Sequence, residues 1–353
     1  MNRKKFIQNL GLTAIFPLIP TGFQPVFPKN SDISTEIIRP KGLKKGDTIG
    51  IVSPASAIFE SEPYEIAQET FEAMGLKVRF GKYVNARYGH LAGTDEERAS
   101  DLNDMFKDTS VKAIIALRGG SGSARILDKL DYSAIKKNPK IFIGYSDITA
   151  LHLAIFQMTG LVTFHGPVAV SSWNTFSRDS FEKLLFGKEN LMYENPVKIP
   201  ENQLVQTENR IATITPGTAK GQLLGGNLSV LTGIMGSPYF PKDWSNKILY
   251  LEDIGEEIYA IDRMFSQLEL GGVFKQIKGF VFGKCSDCDA GGSGYGSLTL
   301  EEVINHYIKP LGVPAYLGAM FGHVADNSTI PNGIEAEIDA EKGSFRLLTA
   351  AVE

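Results

Sequence analysis

Ser146 stands between an apolar run, Ile141-Phe142-Ile143-Gly144, and a stretch in which Ile148, Leu151, Leu153, Ala154 and Ile155 mostly follow a helical period. A serine at such a strand-to-helix turn has its Oγ pushed out of the backbone. The free N–H groups and the positive dipole end of the following helix lie beside it. Acyl-transfer chemistry places a nucleophile there. The same residues can also do something simpler, because Ser146 or Asp147 can cap the helix by accepting a bond from an N–H two or three positions on. The spacing is not G-x-S-x-G either, since Ile148 stands two residues after the serine.

A serine nucleophile needs a base, and the base needs an acid that fixes its tautomer. Five histidines are available. His152 lies on the helix after Ser146, and His90 and His306 sit among polar residues. His165 and His323 each follow an apolar strand and adjoin a glycine, so residue types leave both open, a buried structural histidine being the simpler role for either. The acids near strand ends are Asp147, Glu252 and Asp253, of which Glu252 suits the strand alternation best. The loop Arg118-Gly119-Gly120-Ser121-Gly122 exposes backbone amides that suit a phosphate or an oxyanion. It lacks the Lys-Ser/Thr ending of a P-loop and the G-x-G-x-x-G spacing, which argues against a nucleotide.

These residues fall at the ends of a regular alternation. Strands are expected at 47–53, 76–80, 111–117, 141–143 and 161–164, with helices at 64–74, 95–106, 124–130 and from Asp147 onward. Gly75 is a helix stop and Thr94 a helix cap. Strands separated by helices predict βαβ units and a parallel sheet, whose ligands sit at the carboxyl ends of the strands. Ser53, the glycine loop, Ser146 and His165 all fall at such ends. The expected fold is α/β, with a Rossmann- or flavodoxin-like parallel-sheet domain at 36–175 and a smaller strand-rich α/β domain at 216–353. Residues 176–215 are polar and irregular and read as the connection between them. In the second domain strands are expected at 247–251, 279–282 and 315–320, a helix at 257–268, and a closing hairpin around Glu341-Lys342-Gly343.

A chain of 353 residues can hold two such cores. Its formal charge of −4 and pI near 5.9 provide no basic footprint, which excludes nucleic acid as a partner. Residues 1–35 read differently. Arg3, Lys4 and Lys5 precede a short apolar run at 10–19, with Pro17, Pro20, Pro25 and Pro28 against a continuing helix. This predicts an export signal and a periplasmic product with no membrane span, a cytoplasmic N-terminal helix being the alternative. Cys285 and Cys288 are the only cysteines. Zinc would need two further ligands, and the pair serves equally as a small disulfide or as two thiols.

Several ordered motifs resemble one family. RGGSGSARILDKLD at 118–131, IGYSDITALH at 143–152, TFHGP at 163–167, GGNLSVL at 225–231, YLEDIGEEIYAIDRMFSQL at 250–268 and GHVADNSTIPNG at 322–333 are similar to the serine LD-carboxypeptidases. That muropeptidase family also holds the microcin C self-immunity peptidases. The resemblance covers roughly residues 40–350. It implies a catalytic triad of Ser146, Glu252 and His323, and oxyanion donors in the N–H groups of Asp147 and Gly120. It further implies substrate contacts from Arg118, Gly119, Ser121 and His165, a homodimer, and no metal or cofactor. The implied reaction removes the terminal D-Ala of a peptidoglycan tetrapeptide; a microcin C-type peptide-nucleotide substrate and a silent cell-wall peptide binder are the alternatives. One departure is visible: Ser121 stands where the family commonly has an aromatic after the double glycine. Family members that recycle muropeptides work in the cytoplasm, whereas residues 1–20 here point to export.

Overall fold

Apolar runs alternating with helical stretches build two sheets in this chain. The computed structural model describes residues 36–187, 190–293 and 296–353, so the export segment expected at 1–35 lies outside the described residues. The first five strands are β1 (Thr48–Val52), β2 (Lys77–Phe80), β3 (Val111–Ala116), β4 (Ile141–Gly144) and β5 (Thr163–His165). Then come β6 (Met192–Tyr193), β7 (Ala212–Thr215), β8 (Thr218–Asn227), β9 (Lys247–Ile254) and β10 (Gly279–Ser286). The last four are β11 (Ala315–Leu317), β12 (Ile330–Asn332), β13 (Glu335–Asp339) and β14 (Ser344–Leu347).

The first sheet has the order β12-β5-β4-β3-β1-β2, and the second β6-β14-β13-β8-β9-β10-β11-β7. Strands β1 to β5 are parallel, and β4 is buried throughout, as continuous apolar runs in two-sided parallel sheets are. One strand departs from the expected parallel sheet. β12 comes from the far end of the chain and pairs antiparallel with β5, setting Ile330 opposite His165. In the second sheet β8, β9, β10 and β11 are parallel, while β7 and the β13–β14 hairpin are antiparallel additions.

Helix Asp95–Lys107 starts at Thr94 with reciprocal bonds to Glu97, a capping box. Helix Thr149–Thr159 is buried on nearly every face, as an element enclosed by other elements must be. Its first residue meets β8, where Asn227 N donates to Thr149 Oγ1 over 2.9 Å. A side chain at Gly226, φ +143°, would strike that threonine, with Cβ 2.6 Å from Oγ1. Glycine is what lets β8 come this close to the start of that helix.

The stretch read as an irregular connection contains a helix, Thr175–Leu185, whose Ser177, Phe181, Leu184 and Leu185 are buried. Polar residues on its outer face hid the period. Phe181 packs at 5.1 Å from Trp173 and 6.4 Å from Phe71 between ring centroids. Burying such a ring stabilises by roughly 1.5–3 kcal/mol, well above the few tenths at stake in helix propensity, so packing decides this helix. Cys285 and Cys288 are joined in a disulfide at the end of β10. No helix among the described residues is long and apolar enough to cross a membrane.

Candidate active site

Ser146 follows Gly144 of β4 by two residues and opens a short 3-10 turn, Ser146–Ile148, that runs into helix Thr149–Thr159. Its φ is +64°, in the left-handed region, which costs a residue with a Cβ roughly 1–2 kcal/mol. Neither the turn nor the helix has a side-chain cap, so the simpler role considered for Ser146 is not the one it plays. Asp147 does not cap either. Its Oδ2 accepts from Ser123 N at 2.8 Å and its carbonyl accepts from Ser123 Oγ at 2.5 Å, tying the Ser146 turn to the glycine loop. Burial pushes the Asp147 carboxyl above the usual range, against the bonds from Ser123.

The glycine loop closes on Ser146 from the other side. A Cβ at Gly119 would lie 2.9 Å from Ser146 Cβ and 3.2 Å from its Oγ. Gly120 has φ +114° and lies against Ser56, whose Oγ accepts from Ser121 N at 3.0 Å and whose N donates to Gly119 O at 3.3 Å. Among the described residues the N–H groups of Gly120 and Asp147 have no protein acceptor. Arg118 is half-buried and bonds Ala57 O at 3.4 Å, and Ser121 Oγ stands 3.4 Å from His90 Nε2.

Glu252, on β9, has no exposed surface, and register sets it opposite Asn227 of β8. Its Oε2 accepts from His323 Nδ1 at 2.7 Å and from His323 N at 3.2 Å. That bond leaves His323 Nε2 as the outward-acting nitrogen. Gly322, φ +89°, has no room for a Cβ because the Glu252 carboxylate occupies that space. The His323 side chain is 14% exposed, and its ring lies edge-on to Tyr145, the neighbour of Ser146, at 4.9 Å between centroids. Among the described residues no hydrogen bond joins Ser146 Oγ to the imidazole; such contacts are commonly long until substrate is bound.

His165, the other open histidine, lies wholly buried behind the carboxylate, its Nε2 3.8 Å from Glu252 Oε1, and has no surface for substrate to touch. His152 is buried as well, bonded through Nε2 to Gly144 O at 2.8 Å, and burial pushes its pKa down to about 4. Asp253 faces away from His323. Asn227 Nδ2 at 2.8 Å, Ser229 N at 2.8 Å and Ile254 N at 2.9 Å hold its carboxylate, while burial and the Glu252 charge push its pKa up to about 6.

Sequence reasoning missed the residues that support the His323 loop. Asn327 Oδ1 accepts from Gly322 N at 3.0 Å, and Asn327 N donates to Ser177 Oγ at 3.0 Å. Asn174 Nδ2 donates to Ala325 O at 2.8 Å and to Asp326 Oδ1 at 2.9 Å, and Ser286 Oγ donates to His323 O at 2.5 Å. The visible signal was Asn174-x-x-Ser177, a helix-cap spacing, whose Asn174 Oδ1 accepts from Ser177 N at 3.0 Å.

A left-handed serine at a strand end, free amides on either side and a histidine held by a buried glutamate can together carry out acyl transfer. The class that such a site and two-sheet α/β fold define is a hydrolase. The chain matches the LD-carboxypeptidase N-terminal domain over residues 49–166 and the LD-carboxypeptidase C-terminal domain over residues 220–338, and it belongs to the LD-carboxypeptidase family. It is 41% identical over 312 residues to a probable murein peptide carboxypeptidase of Bacillus subtilis, covering 86% of this chain and 92% of that one. Among solved structures it resembles the microcin C7 self immunity protein MccF in its wild-type apo state, with a TM-score of 0.80 and 30% identity over 90% of this chain and 100% of that one. It also resembles a muramoyltetrapeptide carboxypeptidase from Oxalobacter formigenes, with a TM-score of 0.72 and 27% identity over 85% and 97% of the two chains.

Proposed function

We propose that this protein is a serine carboxypeptidase that cuts the L,D-amide before the terminal D-Ala of peptidoglycan tetrapeptides, in cell-wall turnover or recycling. The observation that carries this reading is the Glu252–His323 pair beside the left-handed Ser146. His323 Nε2 takes the proton of Ser146 Oγ as the oxygen attacks the carbonyl carbon. The N–H groups of Asp147 and Gly120 hold the oxyanion, and one such donor is worth about 2.7–4 kcal/mol in the transition state. His323 then protonates the departing D-Ala amine, and Glu252 steadies the imidazolium in between. A water molecule, deprotonated by the same imidazole, releases the acyl-enzyme. Arg118, half-buried beside Gly119, is the cation for the terminal carboxylate that an exopeptidase must recognise, and Gly119 and Ser121 line the same edge.

The test is D-Ala release from L-Ala-γ-D-Glu-diamino acid-D-Ala by wild type and Ser146→Ala. Turnover that falls by roughly 10⁴–10⁶ in the variant and is indifferent to chelator supports the reading. Wild-type enzyme with no turnover overturns it. The likeness to MccF favours a second substrate class, peptide-nucleotide amides, and a direct comparison of turnover separates the two. Tight peptide binding unaffected by Ser146→Ala, without turnover, would mark a binder. The reading includes two folding lobes, 36–175 and 216–353, that share the catalytic groups. It also includes a homodimer and an export signal at 1–35, checked by sedimentation and by cell fractionation. An uncleaved cytosolic product would sink the export assignment.

A further inference from the structure

His165 takes no part in that mechanism, yet it is placed beside its acid. It ends β5, opposite Gly144 of β4 on one side and Ile330 of β12 on the other, with no exposed surface. Tyr250, Tyr145 and Phe321 enclose the ring edge-on at 5.7, 6.2 and 6.4 Å, and His152 lies at 6.5 Å. Among the described residues neither ring nitrogen has a hydrogen-bond partner, and neither does Glu252 Oε1. A buried polar group left unpaired costs about 1–3 kcal/mol, and more when charged, so such groups call for an explanation. Here the two deficits face each other: Nε2 and Oε1 are 3.8 Å apart. Closing that gap to a bond of about 3.0 Å needs a shift of only about 0.8 Å.

The contact has a use. The terminal torsion of a glutamate is broad and roughly two-fold, so a carboxylate anchored through one oxygen can still swing. Both observed donors, His323 Nδ1 and His323 N, grip Oε2 alone. A donor on Oε1 would fix the plane of the carboxylate and, through it, the plane of the His323 ring. Complete burial, with His152 and His323 nearby, holds the pKa of His165 well below that of an ordinary histidine. A bond closed from that ring to Glu252 Oε1 would therefore be a hydrogen bond from a neutral imidazole, not an ion pair.

We propose that His165, as its Nε2–H tautomer, is a positioning residue that holds Oε1 of Glu252 while His323 holds Oε2. The inference rests on the acyl-transfer reading, so its test uses two readouts. One is D-Ala release from the tetrapeptide, and the other is the rate at which a fluorophosphonate labels Ser146, which needs no natural substrate. His165→Phe keeps an aromatic ring in the aromatic cage and removes both nitrogens. The expected result is a folded protein with KM within about threefold, and with kcat and labelling rate both down roughly 10- to 100-fold. Wild-type rates in a folded His165→Phe overturn the proposal. Should that variant fail to fold, His165→Gln and His165→Asn replace it, since the Gln amide reaches the place of imidazole Nε2 and the Asn amide only that of Nδ1. Labelling near the wild-type rate in Gln and slow labelling in Asn support the positioning role, and equal rates in the two overturn it. Wild type that is labelled but releases no D-Ala leaves the positioning test intact and removes the substrate. Wild type that is not labelled removes the acyl-transfer reading itself.

Discussion

The turn at Ser146 and the loop at His323 face each other through Tyr145, yet the chain builds them in opposite ways. The Ser146 turn is made of its own neighbours: a buried strand, Gly144, a left-handed residue and a helix that follows at once. The His323 loop has no regular structure of its own. Glu252, 71 positions earlier, holds the histidine, and Asn174 and Ser177, 152 and 150 positions before their partners, hold the rest. A locally built turn can lose a side chain without losing its shape. A loop held from a distance loses geometry and stability together.

Glu252→Gln tests this most severely. It keeps the volume and removes the charge that orients His323, so kcat should drop about 10³- to 10⁴-fold, as an Asp-to-Asn change does in a serine triad. A loss under tenfold would mean that the loop holds His323 without the carboxylate. Gly322→Ala comes next. It puts a Cβ at φ +89° into the Glu252 carboxylate, and should cost at least about 2 kcal/mol in urea titration together with roughly 10²-fold in kcat. Ser146→Ala should instead leave stability within about 1 kcal/mol, and the contrast between the two variants is the comparison in its sharpest form.

Acid should separate the two regions by sign. His152, behind the Ser146 turn, has a folded pKa of about 4, below the roughly 6.5 of an unfolded chain. The unfolded state takes up that proton first, so the stability His152 contributes is present above about pH 6.5 and is lost as pH falls through about 4. Asp253, beside Glu252, runs the other way. Its folded value of about 6 exceeds the roughly 3.9 of the unfolded chain, so its contribution is complete below about pH 3.9 and is lost as pH rises through 6. Each amounts to about 3 kcal/mol at full extent, and the two largely cancel. Asp253→Asn should therefore lose stability more steeply than wild type between pH 6.5 and 4, and His152→Gln less steeply. Parallel urea midpoints across that range would refute both assignments.

The smallest effect belongs to the disulfide. It closes a loop between residues only three apart, worth about 2 kcal/mol in a loop-closure account. The strand pairing of Cys285 with Asp253 and of Ser286 with Ile254 remains without it. Reduction should lower the thermal midpoint and leave kcat within about threefold. A larger loss of activity would show that the bond from Ser286 Oγ to His323 O depends on the disulfide.

Parts of both sheets and of their helices were legible in the sequence because they rest on short-range periods. The capping box at Thr94, the buried run of β4 and the β13–β14 hairpin are all written in residues within a few positions of one another. Helix Thr175–Leu185 escaped because four buried positions among polar neighbours signal a helix only once Trp173 and Phe71 are there to meet them. β12 escaped because three residues pairing across the chain carry no local period.

The sequence by itself showed where a nucleophile could stand, at a strand, a glycine and a helix in succession, and left helix capping as the other role for the same serine. It also determined the family, through motifs spread over both halves. What it left open, on residue types, was which histidine meets which acid. His165 and His323 have the same local setting of apolar strand and glycine. Only the packing of β9 against β8 and β10, which aims Glu252 Oε2 at His323 and leaves Oε1 facing His165, decided how each relates to the carboxylate. Distances between residues far apart in the chain come from the way sheets stack, and no short stretch of residues contains them.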